Sequence, residues 1–399
     1  MARRQGGWED YHPLGQRVAH LLRGMACNRR MDGWRHPSMS ALSTSGKAQS
    51  HEAVVTEGCA AQNNNPKPRP GAAKRVLSID GGGLKGVMPA SFLAEIEGST
   101  GLRIVDHFDL VVGTSTGGII ALGIGLGLPC EAIVSFYRQH GPQVFGQAHG
   151  GWLQGVSGSI WRWCKGWVTN KHSGEPLRSA LEDVFGQRRL GESSVRLVIP
   201  TWGSLQRLPR LFKTAHHPRF QMDYKMSAVD IAMATAAAPT YLPAYRLRGV
   251  EHVDGGIWAN NPATVAAVEA IATLGWGADN VNMLSLGCSD ERLVVPSKLG
   301  RMRGAGLGPD MMLQAQSHAA LLTAKVLLGS GTADHERFSR VDLVVDRGFA
   351  KMDDAKQMSQ FEGLGRSQAR SWLPRIQDQF LTGTKQAFVP CHDLRVDGS

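Results

Sequence analysis

A serine between two glycines has the surroundings that best suit nucleophilic chemistry in this chain. Ser115 lies in Gly-Thr-Ser-Thr-Gly (113–117), after the apolar run FDLVV and before the apolar run GIIAL. A serine at a sharp strand-to-helix turn takes a strained backbone conformation, and small neighbours let that turn close. Its hydroxyl then projects at a helix N-terminus, where backbone N–H groups stabilise negative charge. The pattern predicts a nucleophile elbow centred on Ser115 in preference to an ordinary Gly/Ser turn.

A second glycine-rich motif, GGGLKG (81–86), follows a short apolar run that ends in Asp80. It matches GxGxxG, which is a weak signal alone. One interpretation is a dinucleotide fingerprint, because acidic residues stand some twenty positions on, at Asp106 and Asp109. The other is an anion nest, since consecutive N–H groups in a glycine turn at a helix N-terminus bind an oxyanion as well as a pyrophosphate.

The serine elbow that follows favours the second interpretation of this loop. We therefore predict that N–H groups of Gly81, Gly82 and Gly83 form an oxyanion hole for chemistry at Ser115. Lys85 adds a cation at the rim of the loop. It either binds a substrate phosphate or serves as a salt-bridged or solvated surface residue, and the sequence leaves both roles open.

The nucleophile needs a base, and the sequence offers a carboxylate and several histidines. Asp254 begins an Asp-Gly-Gly turn directly after the strand-like run 250–253, so it would reach the same sheet edge as the elbow. A triad in the order Ser, acid, His would instead need a histidine after Asp254, and the candidates are His318, His335 and His392. None of these has a supporting signature. His252 shares a strand face with Asp254 and is a candidate for a supporting role.

A tryptophan-rich stretch between the elbow and the base holds four of the ten tryptophans of the chain, including Trp163 and Trp167. If it is helical, Trp163 and Trp167 share a face while basic residues lie elsewhere. Aromatic residues interleaved with basic ones suit a lipid interface. The stretch is interpreted as part of a lipid-binding pocket or lid, or as a core-packed subdomain.

These groups need a scaffold, and strands alternate with helices from Lys74 to about residue 290. Such alternation predicts an α/β fold with a mostly parallel central sheet covered by helices on both faces. We predict three regions: a disordered basic N-terminal segment (1–73), the α/β domain (74–290), and a mainly helical C-terminal extension (291–399) with one strand near VDLVVD.

Composition limits the function classes. The chain has 399 residues and 42% hydrophobic residues, which allows a sizeable core. Its net charge is +10, but residues 1–75 hold twelve Lys and Arg against five Asp and Glu, so the folded part is nearly balanced and a nucleic-acid polymer is not an expected partner. No run has the roughly 18 apolar residues of a membrane span, and the N-terminus lacks the apolar core of a signal peptide. We expect a cytoplasmic protein with six reduced cysteines and no metal site.

Taken in order, the motifs resemble those of the bacterial patatin-like phospholipases. The resemblance covers residues 76 to about 268 and rests on four motifs: DGGGLKG (80–86), GTSTG (113–117), AAAPTYLP (236–243) and DGG (254–256). Two departures are minor. Lys85 stands where arginine is common, which keeps the charge but loses a bidentate fork, and Gly256 stands where alanine is also frequent.

The resemblance implies a patatin-like three-layer fold and hydrolysis of fatty-acyl esters of phospholipids or lysophospholipids without metal or other cofactor. It implies that Ser115 attacks, that Asp254 is the general base without histidine, and that the loop of Gly81, Gly82 and Gly83 is the oxyanion hole. The substrate would be a phospholipid membrane surface, on which the protein acts peripherally. Some members are anti-phage effectors switched on by a cyclic dinucleotide, although nothing in residues 291–399 identifies a sensor. A nucleotide-binding regulatory protein with a structural Ser115 remains the alternative, and the oligomeric state stays open.

Overall fold

The structure is a computed structural model and describes residues 73–145, 174–239, 241–291, 301–329, 337–342, 344–345 and 357–394. All of them belong to a compact unit, Asn65–Ser399, whereas the unit Met1–Asn64 lies wholly outside the described residues. The predictions for the N-terminal segment 1–73 therefore fall almost entirely outside them. So do the predictions for Trp163 and Trp167.

Ten strands and nine α-helices are described within these ranges. The strands are β1 (Lys74–Ile79), β2 (Leu110–Gly113), β3 (Arg196–Gly203), β4 (Leu208–Lys213), β5 (Tyr245–Leu247), β6 (Val250–Asp254), β7 (Val281–Leu286), β8 (Asp290–Glu291), β9 (Phe338–Val341) and β10 (Val344–Val345). The helices are α1 (Val87–Thr100), α2 (Thr116–Gly125), α3 (Cys130–Phe145), α4 (Glu175–Phe185), α5 (Ala228–Thr235), α6 (Gly256–Ala259), α7 (Ala263–Val268), α8 (Arg301–Leu327) and α9 (Met358–Ile376).

Local sequence explains where several of these elements begin and end. Helix α5 begins after Ser227, whose side chain accepts a hydrogen bond from the N–H of Val229 at 3.2 Å. Helix α1 ends at Gly101, which adopts a left-handed conformation with φ of 70°. Helix α7 continues as a π-helical segment, Glu269–Thr273.

Eight strands form one mixed sheet in the order β5-β6-β3-β2-β1-β7-β9, with β4 paired to β3. The four pairings β1–β2, β1–β7, β2–β3 and β7–β9 are parallel, as the alternation of strands and helices predicts. Strands β4, β5 and β6 run antiparallel at one side of the sheet. The carboxyl ends of β1 and β2 consequently lie side by side, so the residues that follow Ile79 and Gly113 emerge at the same edge.

Helices cover both faces of the sheet, which confirms the predicted three-layer arrangement. Alternate residues of β1 divide between the two faces: Leu77 joins a core cluster with α1 to α5 and α9, whereas Val76 joins a cluster with α7 and α8. The described residues after 290 contribute β9 to the main sheet, and α9 packs against α1. The C-terminal residues thus complete the same layers.

Candidate active site

The turn after β2 has the geometry of a nucleophile elbow. Ser115 has φ of 55° and ψ of −124°, a combination that is costly for any residue with a Cβ atom and that aims the side chain out of the strand-to-helix turn. The flanking glycines make the turn possible. A Cβ atom on Gly113 would lie 2.1 Å from the carbonyl oxygen of Gly117, and one on Gly117 would lie 2.4 Å from that of Ile79.

Asp254 ends β6 and meets the serine. The Ser115 hydroxyl donates a hydrogen bond of 2.5 Å from Oγ to Oδ2 of Asp254. The other carboxylate oxygen, Oδ1, accepts a hydrogen bond from the N–H of Gly256 at 2.6 Å. The strand is placed by its antiparallel pairing with β3, where Asp254 lies opposite Thr201. Sequence reasoning proposed this pair of side chains, and the fold brings them together across 139 positions of the chain.

The environment of Asp254 suits proton transfer. The residue is only 5% exposed, and this burial raises the pKa of its carboxyl group from 3.8 to about 6, against the opposing effects of the hydrogen bonds from Ser115 and Gly256. A carboxylate with a pKa near 6 is ionised at neutral pH and still basic enough to accept a proton. Asp254 therefore has the position and the basicity of a general base.

Only some of the backbone N–H groups in the glycine loop already have a hydrogen-bond acceptor. The N–H of Gly81 donates to the carbonyl oxygen of Asn260 at 2.9 Å, and the N–H of Gly82 donates to Oγ1 of Thr116 at 3.2 Å. Within the described part of the chain, the N–H groups of Gly83 and Thr116 have no hydrogen-bond acceptor. Both residues line the pocket beside Ser115. These two N–H groups are the donors that could serve an oxyanion directly, whereas Gly81 and Gly82 shape the loop.

An apolar pocket opens beside Ser115. Its empty volume is about 620 Å³, which includes open solvent at the mouth. Its walls come mainly from α2, α3 and the segment after α5, and the large apolar side chains among them are Ile119, Phe136, Tyr137, Val144, Leu177 and Leu242. A hydrocarbon chain fits such a lining better than a charged or sugar-bearing ligand does.

No histidine in the described ranges forms a hydrogen bond with Ser115 or Asp254, although His140 lines the pocket beside Ser115. His252 lies two residues before Asp254, but its ring packs against Phe212 and its Nδ1 has no hydrogen-bond partner. His318 lies on the exposed face of α8. His392 contacts the carbonyl oxygen of Pro218 at 2.7 Å and stacks on Tyr224. His335 lies outside the described residues.

Lys85 lies in a 3₁₀ turn (Gly83–Gly86), is only 8% exposed, and is not among the residues that line the pocket. Lys85 is thus not part of the pocket wall beside Ser115, and a contact with a substrate phosphate stays a prediction. Sequence reasoning missed Thr116, although its place directly after the nucleophile is a usual one for an oxyanion donor. It also missed Thr235, whose Oγ1 accepts from the N–H of Ser115 at 3.0 Å and which has no local signal in the sequence.

Comparison with known proteins identifies the family of this chain. A profile of the family described as patatin-like phospholipase matches residues 77–267. A protein of Pseudomonas aeruginosa called cGAMP-activated phospholipase is 38% identical over 189 residues, which are 47% of this chain and 54% of that protein. The protein of the same description from Vibrio cholerae is 30% identical over 273 residues, 62% of this chain and 76% of that protein. A third, from Escherichia coli, is 31% identical over 58% of this chain and 67% of its own length.

The mixed sheet with helices on both faces and the serine elbow define an α/β protein with a nucleophile-elbow site, and the chain belongs to the patatin-like phospholipase family. The matched part spans little more than half of the Pseudomonas relative. Among solved structures, VipD from Legionella pneumophila matches with a TM-score of 0.40 and 10% identity, over 76% of this chain and 67% of that chain. This likeness is too low to add to the assignment.

Proposed function

We propose that this protein hydrolyses fatty-acyl esters of phospholipids or lysophospholipids through a Ser115–Asp254 dyad, at a membrane surface, and that a cyclic dinucleotide activates it. The observation that carries the catalytic part is the 2.5 Å hydrogen bond from the Ser115 hydroxyl to the buried Asp254 carboxylate, next to an apolar pocket. Acyl transfer requires a nucleophile paired with a base, and an apolar pocket beside the nucleophile can hold a fatty-acyl chain.

The proposed reaction has two halves. In the first half, Asp254 takes the Ser115 proton as Oγ attacks the ester carbonyl carbon, and the N–H groups of Gly83 and Thr116 donate to the oxyanion. The tetrahedral intermediate collapses as Asp254 returns the proton to the departing alcohol, which is the lysolipid. In the second half, Asp254 takes a proton from water as the water oxygen attacks the carbonyl carbon of the acyl-serine. The second tetrahedral intermediate collapses as Asp254 returns that proton to Oγ of Ser115, which releases the fatty acid and restores the dyad.

The proposed activator is supported by three relatives that are called cGAMP-activated phospholipases. The proposed membrane contact is supported by the substrate class and by the apolar pocket beside the nucleophile. No helix in the described ranges has the length and apolar character needed to cross a membrane. Substrate would then enter from the surface of the bilayer.

Mass spectrometry of phospholipid vesicles incubated with the full chain tests the proposal. Incubations with cGAMP, with a second cyclic dinucleotide and without nucleotide are compared, and Ser115→Ala serves as the matched control. We expect free fatty acid and lysolipid from the wild type, increased by cGAMP, and none from the variant.

Two outcomes would change the assignment. Lipid that is unchanged under all conditions, together with measurable binding of cGAMP, would favour a nucleotide-binding regulatory protein in which Ser115 is structural. Hydrolysis at full rate without any nucleotide would refute the activator while leaving the hydrolase in place.

A further inference from the structure

A guanidinium from the C-terminal part of the chain holds the residue that begins the glycine loop. Arg340 of β9 donates from Nη1 to Oδ1 of Asp80 at 3.0 Å and from Nη2 to Oδ2 at 2.6 Å. The same guanidinium donates to Oγ of Ser285 at 2.8 Å and pairs with Asp342. The fork is thus fully engaged, and the Arg340 side chain is only 15% exposed.

The main chain of Asp80 is fixed from the same direction. Its N–H donates to the carbonyl oxygen of Leu286 at 3.0 Å, and its own carbonyl oxygen accepts a hydrogen bond of 3.2 Å from the Cys288 thiol. Cys288 also packs so closely on the loop that a Cβ atom on Gly82 would lie 2.4 Å from its own Cβ. Strands β7 and β9 therefore determine where the loop leaves β1.

Charge reinforces this geometry. Burial alone would lower the pKa of Arg340, but the carboxylates of Asp80 and Asp342 raise it above its ordinary value, so the guanidinium stays charged. A bidentate arginine fixes the plane of a carboxylate as well as its distance, which a lysine ammonium does not do. Loss of the fork would remove two hydrogen bonds from the Asp80 carboxylate and weaken the side-chain part of the hold on the loop.

We propose that Arg340 is a positioning residue for catalysis: by clamping Asp80, it holds the glycine loop so that the N–H of Gly83 points at the oxyanion beside Ser115. The proposal rests on the proposed function, because it assigns a role in that reaction. Arg340 lies beyond residues 77–267, to which the family profile matches. The role therefore belongs to a part of the chain outside the range that the family profile matches.

The test compares Arg340→Lys and Arg340→Met with the matched control Arg337→Lys. Arg337 precedes the same strand but pairs with Asp279, which is 91% exposed, at 3.1 Å. Each protein is titrated to completion with a fluorophosphonate to count competent sites. The rate of labelling, kcat and KM on a soluble short-chain p-nitrophenyl ester, and the pH–rate profile are then measured with cGAMP present.

We expect Arg340→Lys to lower kcat per titrated site and the labelling rate by roughly 10- to 100-fold, less than the 10²–10³-fold of a fully removed oxyanion donor. KM should stay within about twofold, and the apparent pKa of the acidic limb should stay at its wild-type value, because the pocket and Asp254 are untouched. Arg337→Lys should keep the wild-type rates. A purely structural role would reduce the titrated fraction without changing kcat per site.

A wild-type kcat per site in Arg340→Lys would overturn the proposal. This variant keeps a positive charge beside both aspartates, so it decides the matter even if Arg340→Met fails to fold. If the wild type hydrolysed no ester, that result would refute the proposed hydrolase function but not the positioning role of Arg340. The labelling rate of Ser115 would still show whether Arg340 positions the loop.

Discussion

Replacing Asp254 by asparagine should abolish activity and at the same time stabilise the protein at alkaline pH. Asparagine keeps both hydrogen bonds, because its oxygen can accept from the N–H of Gly256 and its amide can donate to Oγ of Ser115. It lacks only the charge and the basicity. Activity should fall about 10²–10⁴-fold, as for other lost general bases.

The stability gain follows from the raised pKa of the buried carboxyl group. A rise from 3.8 to about 6 corresponds to about 3 kcal/mol at 1.36 kcal/mol per pH unit. Because the folded state holds the proton more tightly than the unfolded chain, wild-type stability falls as pH rises from about 4 to about 6, and the full cost remains above that window. At pH 8 the variant should melt roughly 4 °C higher than the wild type, and the difference should vanish towards pH 4.

Thermal melting of the two proteins at pH 4.5, 6 and 8, with ester hydrolysis measured on the same samples, tests this expectation. Glu269→Gln is the matched control, since it also removes a buried carboxylate. Burial alone would raise the pKa of Glu269, but its hydrogen bond with His216 and the charge of Lys213 outweigh burial and lower it. Its replacement should therefore lower the melting temperature at pH 8. Two results would refute the idea that desolvation sets the basicity of Asp254. One is an Asp254→Asn protein that melts below the wild type at pH 8, and the other is a difference in melting temperature that does not depend on pH.

Four further predictions follow from the site. Ser115→Ala should lose fluorophosphonate labelling, and Ser115→Gly should be equally inactive but melt higher than Ser115→Ala, because glycine relieves a conformation that costs about 1–3 kcal/mol; equal melting temperatures would argue against strain. The wild-type pH–rate profile should fall on the acid side with an apparent pKa of about 6, as protonation removes the base; a limb near pH 4 would contradict the burial of Asp254. His252→Gln should keep kcat within a few-fold, and a loss as complete as that of Ser115→Ala would instead indicate a triad. Ala238→Phe should narrow the pocket and raise KM for long acyl esters more than for acetyl esters; an equal effect on both would place the acyl chain elsewhere.

Sequence reasoning reached the reactive pair because its signals are local. Ser115 follows the apolar strand β2, and Asp254 ends β6, so both are expected at one edge of the sheet. Asp254 reaches that edge for a different reason from the one expected: β6 runs antiparallel to β3, begins beyond the end of β3 and runs back to the level of Thr201. The order of strands and helices likewise predicts the sheet with helices on both faces. These inferences need only neighbouring residues and the period of each element.

The remaining features depend on pairs that are distant in the chain. Whether the N–H of Gly82 is available depends on the hydroxyl of Thr116, 34 positions away, and the fork of Arg340 meets Asp80 across 260 positions. No local pattern encodes such contacts. The pocket also forms only in the folded chain, since its wall combines α2, α3 and residues after α5, which are distant in the sequence.

The pairing of β9 with β7 has a practical consequence for expressing the protein. A chain stopped after residue 290 would retain all four family motifs, yet it would leave β7 (Val281–Leu286), five of whose six residues are buried, as the bare edge of the sheet. Unpaired N–H and C=O groups along an apolar edge attract other strands and promote aggregation. We therefore expect a chain truncated after residue 290 to be insoluble, which would prevent any assay of its turnover.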